Sequence, residues 1–190
     1  MEHHKKYNVI LADPPWKYNF ARQIKDRPNK MQIVETHYPT MNLSELKNLN
    51  IESIIDKNCV LFLWVTSPKL DNGLELLKSW GFEYITSMVW DKINMGMGYW
   101  TRVQHEFILI GRRGKVSPPR LQRSSIINIK RFGHSKKPKE IYEIIEEMFP
   151  KLKKIELFAR EKREGWDCFG NEVESDVQLI AKSKTQGVQK

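Results

Sequence analysis

Two stretches of the chain are apolar at consecutive positions rather than at every second one: Val9-Ile10-Leu11-Ala12, at the end of Tyr7 to Ala12, and Cys59-Val60-Leu61-Phe62-Leu63-Trp64-Val65. A strand with one face in water alternates apolar and polar residues, because its side chains point to opposite faces in turn. Strands without that alternation must be covered on both sides, as in parallel sheets flanked by helices. The remaining signals agree. Asn42, with Glu45 three residues on, predicts a capping box and a short helix through about Leu49. Ser67-Pro68 predicts a capped second helix, with Leu70, Leu74 and Leu77 on one face and Gly81 at its stop. Phe82 to Trp90, Glu106 to Ile110, Ser125 to Ile129 and Ile155 to Phe158 read as further strands. A last helix begins near Pro138, with Ile141, Ile144, Ile145 and Met148 at helical spacing and Pro150 beyond its end. Strands and helices in this alternation predict a three-layer α/β domain with a mostly parallel sheet. One domain over residues 1–180 is expected, with 181–190 a loose polar tail.

No run of about 18 apolar residues and no signal peptide is present, so membrane insertion and export are not expected and a cytoplasmic protein is. Cys59 and Cys168 are too few and too isolated for a disulfide framework or a Cys-rich zinc site, and read as ordinary buried residues. Lys and Arg number 32 against 23 Asp and Glu, a net charge of +9. The surplus is clustered in Lys17 to Lys30 (with Arg22), Arg112 to Arg123, and Lys130 to Lys139, which suggests a polyanion partner, although a solvated basic surface has the same composition. The segments Lys17 to Pro39, Asn94 to Gln104 and Gly111 to Ser124 are long for loops of a compact domain, and such loops are commonly lids or binding segments.

Directly behind the first strand stands Asp13-Pro14-Pro15-Trp16. In an open α/β sheet, ligands bind outside the carboxyl ends of the strands, where Asp13 falls. Each proline fixes its own φ, lacks a donor and restricts the residue before it, so Asp13 and Pro14 are expected to be extended with free carbonyls. The result is a stiff acceptor pair, the Asp13 carboxylate and the Pro14 carbonyl, with Trp16 as a flat face nearby. A planar amine such as the exocyclic N6 of adenine suits it, since two acceptors gripping both hydrogens favour a pyramidal nitrogen whose lone pair is free to attack. That grip tightens toward the transition state, which is the kind of interaction that raises rate. An electrophilic methyl sulfonium held in line would complete a displacement in which Asp13 need not be a strong base. An edge strand ending in an acidic, proline-rich turn has the same letters.

The tetrad resembles the signature of the MT-A70 family of adenine N6-methyltransferases, and the likeness continues in order. It runs through His37-Tyr38-Pro39-Thr40-Met41, Leu61-Phe62-Leu63-Trp64-Val65-Thr66, His105-Glu106, Ser135-Lys136-Lys137-Pro138, Ile155-Glu156-Leu157-Phe158-Ala159-Arg160, Gly165-Trp166 and Gly170-Asn171-Glu172. The resemblance implies a Rossmann-like class I methyltransferase fold in a permuted motif order, with S-adenosylmethionine as cofactor and no metal. The permuted order accounts for the missing Gly-x-Gly turn after the first strand. By similarity Asp13 and Pro14 hold the target amine, with Pro15 and Trp16 completing the catalytic tetrad; Trp16 shapes the base pocket and Tyr38 walls it. Ala12, Asp13, His105, Glu156, Phe158, Arg160, Lys162, Asn171 and Glu172 match cofactor-binding positions, although Phe158 also suits a core and Asn171 a turn. His105 stands where the messenger-RNA enzymes of the family have a lysine.

A base inside a duplex must be extruded before it can react, and the basic loops after Trp16 (Lys17, Arg22) and after Gly111 are expected to clamp the backbone. The chain resembles the bacterial and phage members, so DNA adenine is the expected substrate, and RNA adenine the second reading. A catalytically silent nucleic-acid-binding subunit and a small-molecule methyltransferase are the competing classes; the intact tetrad speaks against the first and the basic loops against the second. A homodimer extending the basic surface is the expected assembly.

Overall fold

The computed structural model describes residues 5–18, 39–98, 100–131 and 136–182. Seven strands form one sheet: β1 (Tyr7–Ala12), β2 (Ile55–Thr66), β3 (Glu83–Asp91), β4 (His105–Arg113), β5 (Ile126–Asn128), β6 (Lys154–Leu157) and β7 (Trp166–Phe169). Their order across the sheet is β5-β3-β4-β2-β1-β6-β7. β1 is parallel to β2 and β6, β6 to β7, and β3 to β5, whereas β4 runs against both its neighbours. The mostly parallel sheet is therefore present with one strand reversed. β3 passes to β4 through loop 92–104 with no crossover helix, and directly linked neighbours pair antiparallel. One rim consequently gathers the carboxyl ends of every strand but β4 together with the amino end of β4.

Three helices cover the faces: α1 (Leu43–Asn48), α2 (Leu70–Ser79) and α3 (Glu140–Met148). Successive residues of β1 feed opposite cores. Ile10 and Ala12 join Leu61, Leu63, Leu46, Leu76 and Leu77 beneath α1 and α2, while Val9 and Leu11 join Val60, Phe62, Trp64, Ile141 and Ile145 beneath α3. This two-sided burial is what unbroken apolarity requires. The capping box forms: the Asn42 side chain accepts from the Glu45 N–H at 3.0 Å, and Glu45 Oε2 accepts from the Asn42 N–H at 2.7 Å.

Other expectations need correction. Ser67-Pro68 opens a 3₁₀ turn over Ser67–Lys69 that runs into α2, but no side chain caps it; the Ser67 hydroxyl lies 3.1 Å from His105 Nε2 instead. β7 gave no sequence signal because Trp-Asp-Cys-Phe is short and lies at the sheet edge. Of the expected tail, Ala181 and Lys182 are tied down, since the Asn50 N–H donates to the Ile180 carbonyl and the Lys182 N–H to that of Asn48, and 183–190 lie outside the described residues. Cys59 and Cys168 are both free and buried. No described helix is long and apolar enough to cross a membrane.

Candidate active site

Asp13 is the first residue beyond β1, and its N–H still donates to the Leu157 carbonyl of β6 at 3.3 Å. The chain then turns sharply. The Trp16 N–H donates back to the Pro14 carbonyl at 2.8 Å, a three-residue turn around Pro15 whose locked φ suits it. The Pro14 carbonyl is therefore not free, as the sequence suggested; one lone pair is engaged and a carbonyl oxygen keeps a second. Pro15 accepts from the Met41 N–H at 2.8 Å, and the Lys17 N–H donates to the Met41 carbonyl at 3.1 Å. Trp16 is buried, with its indole N–H on the Trp64 carbonyl at 3.2 Å. Proline stiffness and bonds to the 39–41 segment thus aim the tetrad together.

A line of alternating charges supports it. Lys137, just ahead of α3, places Nζ 2.7 Å from Asp13 Oδ2 and 3.4 Å from Glu106 Oε2, while Lys92 Nζ reaches Glu106 Oε1 at 2.6 Å. Side-chain exposures are 16% for Lys137, 25% for Asp13 and 12% for Glu106, so screening by water is limited. Burial would push the Glu106 carboxyl up, but Lys137 and Lys92 outweigh it and hold it below the ordinary value. Burial would likewise lower Lys137, yet Asp13 and Glu106 raise it. Four charges pair without surplus. Lys137 Nζ also sits 5.2 Å over the Trp64 ring.

Across the cleft from Trp16, Tyr18 and Thr66 lie Phe158, Arg160, Asn171 and Glu172. Phe158 follows β6 with φ +65, a left-handed conformation that costs a non-glycine residue about 1–2 kcal/mol and is typical of functional turns. A Cβ at Gly170 would stand 2.0 Å from the Ala159 carbonyl oxygen, so 158–160 and 170–172 form one close-packed wall. Arg160 Nε is 3.7 Å from Glu172 Oε1 at its lip. Three carboxylates (Asp13, Glu106 and Glu172) and two cations (Lys137 and Arg160) beside aromatic rings and the Asn171 amide suit a ligand with a nucleoside at one end and, beyond a sulfonium, an ammonium and a carboxylate at the other. S-adenosylmethionine has that distribution.

The comparisons decide the lineage. The MT-A70 family model matches residues 7–172. The type II methyltransferase M.MunI of a Mycoplasma species is 41% identical over 183 residues, covering 89% of this chain and 78% of that protein. The N(6)-adenosine-methyltransferase catalytic subunit METTL3 of Homo sapiens is 30% identical over 196 residues, covering 94% of this chain but 31% of that protein. The N(6)-adenosine-methyltransferase MT-A70-like of Arabidopsis thaliana is 30% identical over 184 residues, covering 92% of this chain and 24% of that protein. The chain belongs to the MT-A70 family.

Within this MT-A70 domain the cleft brings together Asp13, Pro14, Pro15, Trp16, Phe158, Arg160, Asn171 and Glu172. Other expected residues do not line it. Ala12 is wholly buried beneath α1 and α2. His105 faces Ser67 and packs edge-on against Phe107. Lys162 pairs with Glu174 and Asp176, and Lys17 is exposed. Arg22 and Tyr38 lie outside the described residues. The loop after Gly111 leaves β4 at the rim opposite Asp13, and Arg112, Arg113 and Arg123 pair with Glu83, Glu52 and Glu147 rather than standing ready as a clamp. Sequence reasoning missed Lys137, Glu106, Tyr18 and Thr66. For Lys137 and Glu106 the only signal is membership of matched motifs.

Glu156 turns under α3, where the Tyr142 hydroxyl donates to Oε1 at 2.8 Å. Burial pushes its carboxyl up to about 7, aided by Asp13, while the Tyr142 bond and Arg163 act against the rise. The folded chain therefore keeps a proton that the unfolded chain releases near 4.5, so stability falls as pH rises between those values and levels off above them. Glu156→Gln keeps the acceptor and cannot titrate. Its melting temperature should match wild type near about pH 4.5 and exceed it by a few degrees at about pH 8; an equal difference at both pH values refutes the assignment.

Proposed function

We propose that this MT-A70 chain transfers a methyl group from S-adenosylmethionine to the exocyclic N6 of adenine in DNA. One observation carries the reading: Asp13 has one carboxylate oxygen fixed by Lys137 while the neighbouring Pro14 carbonyl is fixed by its own turn, and both residues line a cleft fit for nucleosides. With Oδ2 held on Lys137, Oδ1 and the second lone pair of Pro14 are left for the two amine hydrogens. Gripping both draws the nitrogen out of conjugation with the ring, so its lone pair can attack. S-adenosylmethionine supplies an electrophilic methyl on sulfur. The N–C bond forms as the S–C bond breaks, and the methylated nitrogen then sheds a proton, with Asp13 as the nearest acceptor. Trp16 presents a flat face to the adenine, and Phe158, Arg160, Asn171 and Glu172 are suited to hold the donor in line.

The net charge of +9 suits a polyanion, DNA and RNA alike. DNA is placed first because M.MunI, a type II methyltransferase, is 41% identical to this chain, against 30% for the METTL3-type relatives. RNA adenine is the second reading, from those relatives' names. Nucleosides from plasmid DNA and from total RNA, each incubated with the enzyme and S-adenosylmethionine, should be analysed by mass spectrometry. N6-methyladenine in the DNA alone is expected; methylated RNA alone moves the assignment to RNA, and neither product sinks it.

A further inference from the structure

Loop 92–104 stands at the same rim as Asp13, yet it exposes apolar side chains rather than burying them. Ile93 is 53% exposed, Met95 64%, Met97 71% and Trp100 92%. Isolated exposed hydrophobics need no explanation, but a cluster on one loop beside a reactive cleft marks an interaction site. The loop is also built to be stiff. Asp91 Oδ1 accepts from the Ile93 N–H at 2.7 Å and from Gln104 Nε2 at 2.8 Å, tying the two ends of the loop together. Those two bonds hold the Asp91 carboxyl below its ordinary value.

Ile93 itself has φ +66, and the Asn94 N–H closes onto the Lys92 carbonyl at 2.7 Å, a strained turn in a β-branched residue. The two sides of the loop are joined by the Lys92 and Gly96 N–H groups on the carbonyls of Gln104 and Val103, and by Arg102 Nε on the Gly96 carbonyl. A Cβ at Gly98 would meet the Thr101 carbonyl oxygen at 1.8 Å, so the strands of the ribbon touch there. Over its described residues, 92–98 and 100–104, the loop is braced at its base and presents methionine and tryptophan side chains outward, unlike a flexible linker or part of a core.

Its surroundings identify the occupant. Lys92 at its base connects through Glu106 and Lys137 to Asp13, so ribbon and reacting centre belong to one framework. Exposed Lys130 and Arg131 follow β5 at the same rim, where the Ile129 N–H donates to the Asp91 carbonyl. An apolar tip flanked by cations, next to a cleft that must receive a base swung out of its stack, complements a duplex: cations meet phosphates while apolar side chains enter between bases. We propose that the tip of loop 92–104 is a wedge that enters the DNA duplex beside the target adenine and fills the space it vacates. Met95 and Met97 supply adaptable bulk and Trp100 a stacking face. This rests on the nucleic-acid reading above and adds how the duplex is opened.

The test uses Met95→Ser, Met97→Ser and Trp100→Ala together, on the single-stranded and double-stranded circles of one phage genome. Opening a duplex costs energy that single strands do not require. The triple variant should lose at least about tenfold in methylation of the double-stranded circle and less than about threefold on the single-stranded one. Equal losses on both, or no loss on either, overturn the wedge. A wild type that methylates neither circle refutes the DNA reading instead. Intrinsic tryptophan emission gives a second readout: duplex DNA should quench wild type more than Trp100→Phe, and equal quenching counts against stacking. Light scattering completes the set, for a wild-type dimer that the triple variant breaks into monomers would make the tip a subunit contact and end the proposal.

Discussion

Replacing Asp13 by alanine is expected to lower kcat for adenine methylation by about a thousandfold, close to 4 kcal/mol in the barrier. The size follows from where the carboxylate acts. Its hold on the amine strengthens as the nitrogen becomes pyramidal, so its loss falls on the transition state more than on either bound reactant. The fold should survive, because Lys137 keeps Glu106 at 3.4 Å and the turn is held by main-chain bonds that alanine leaves in place. Asp13→Asn retains an oxygen acceptor without the charge and should fall between alanine and wild type. Steady-state kinetics with tritiated donor would measure both, together with heat stabilisation by S-adenosylmethionine as a check on binding. If kcat for Asp13→Ala stays within about tenfold of wild type, the acceptor pair is not what activates the amine.

What could be read from the sequence was local. The unbroken apolar runs of β1 and β2, the Asn42–Glu45 box and the position of Asp13 behind a strand each depend on residues a few places apart, and each is found as expected. The charge line was out of reach, because Lys137 meets Asp13 across 124 positions and Glu106 comes from a strand whose reversal is announced only by the missing crossover helix between β3 and β4. Motif matching preserves order along the chain but not what each matched side chain meets: His105 lies against Ser67 and Phe107, and Glu156 takes the Tyr142 hydroxyl beneath α3, whereas Glu106 lines the cleft.

Lys137→Met should destabilise the folded chain by about 2–4 kcal/mol at neutral pH, lowering the melting temperature by roughly 5–15 °C. The lysine is the cation shared by Asp13 and Glu106, and removing it leaves two largely buried carboxylates with Lys92 alone to compensate. Such carboxylates resist ionisation, so the folded variant should take up protons more readily than its unfolded chain and gain stability as pH falls. Wild-type Glu106 is held below its ordinary value of 4.5, so its contribution is lost only under that pH and is constant between about pH 7 and 5. The gap between the two proteins should therefore narrow from about pH 7 to pH 5. Adding Glu106→Gln to Lys137→Met removes one stranded charge and should recover much of the stability. It should not recover turnover, since Asp13 Oδ2 would still lack the partner that fixes it. If the double variant regained both, Lys137 would serve only to neutralise the cluster; if Lys137→Met melted like wild type with full activity, the 2.7 Å contact would have no part in positioning Asp13.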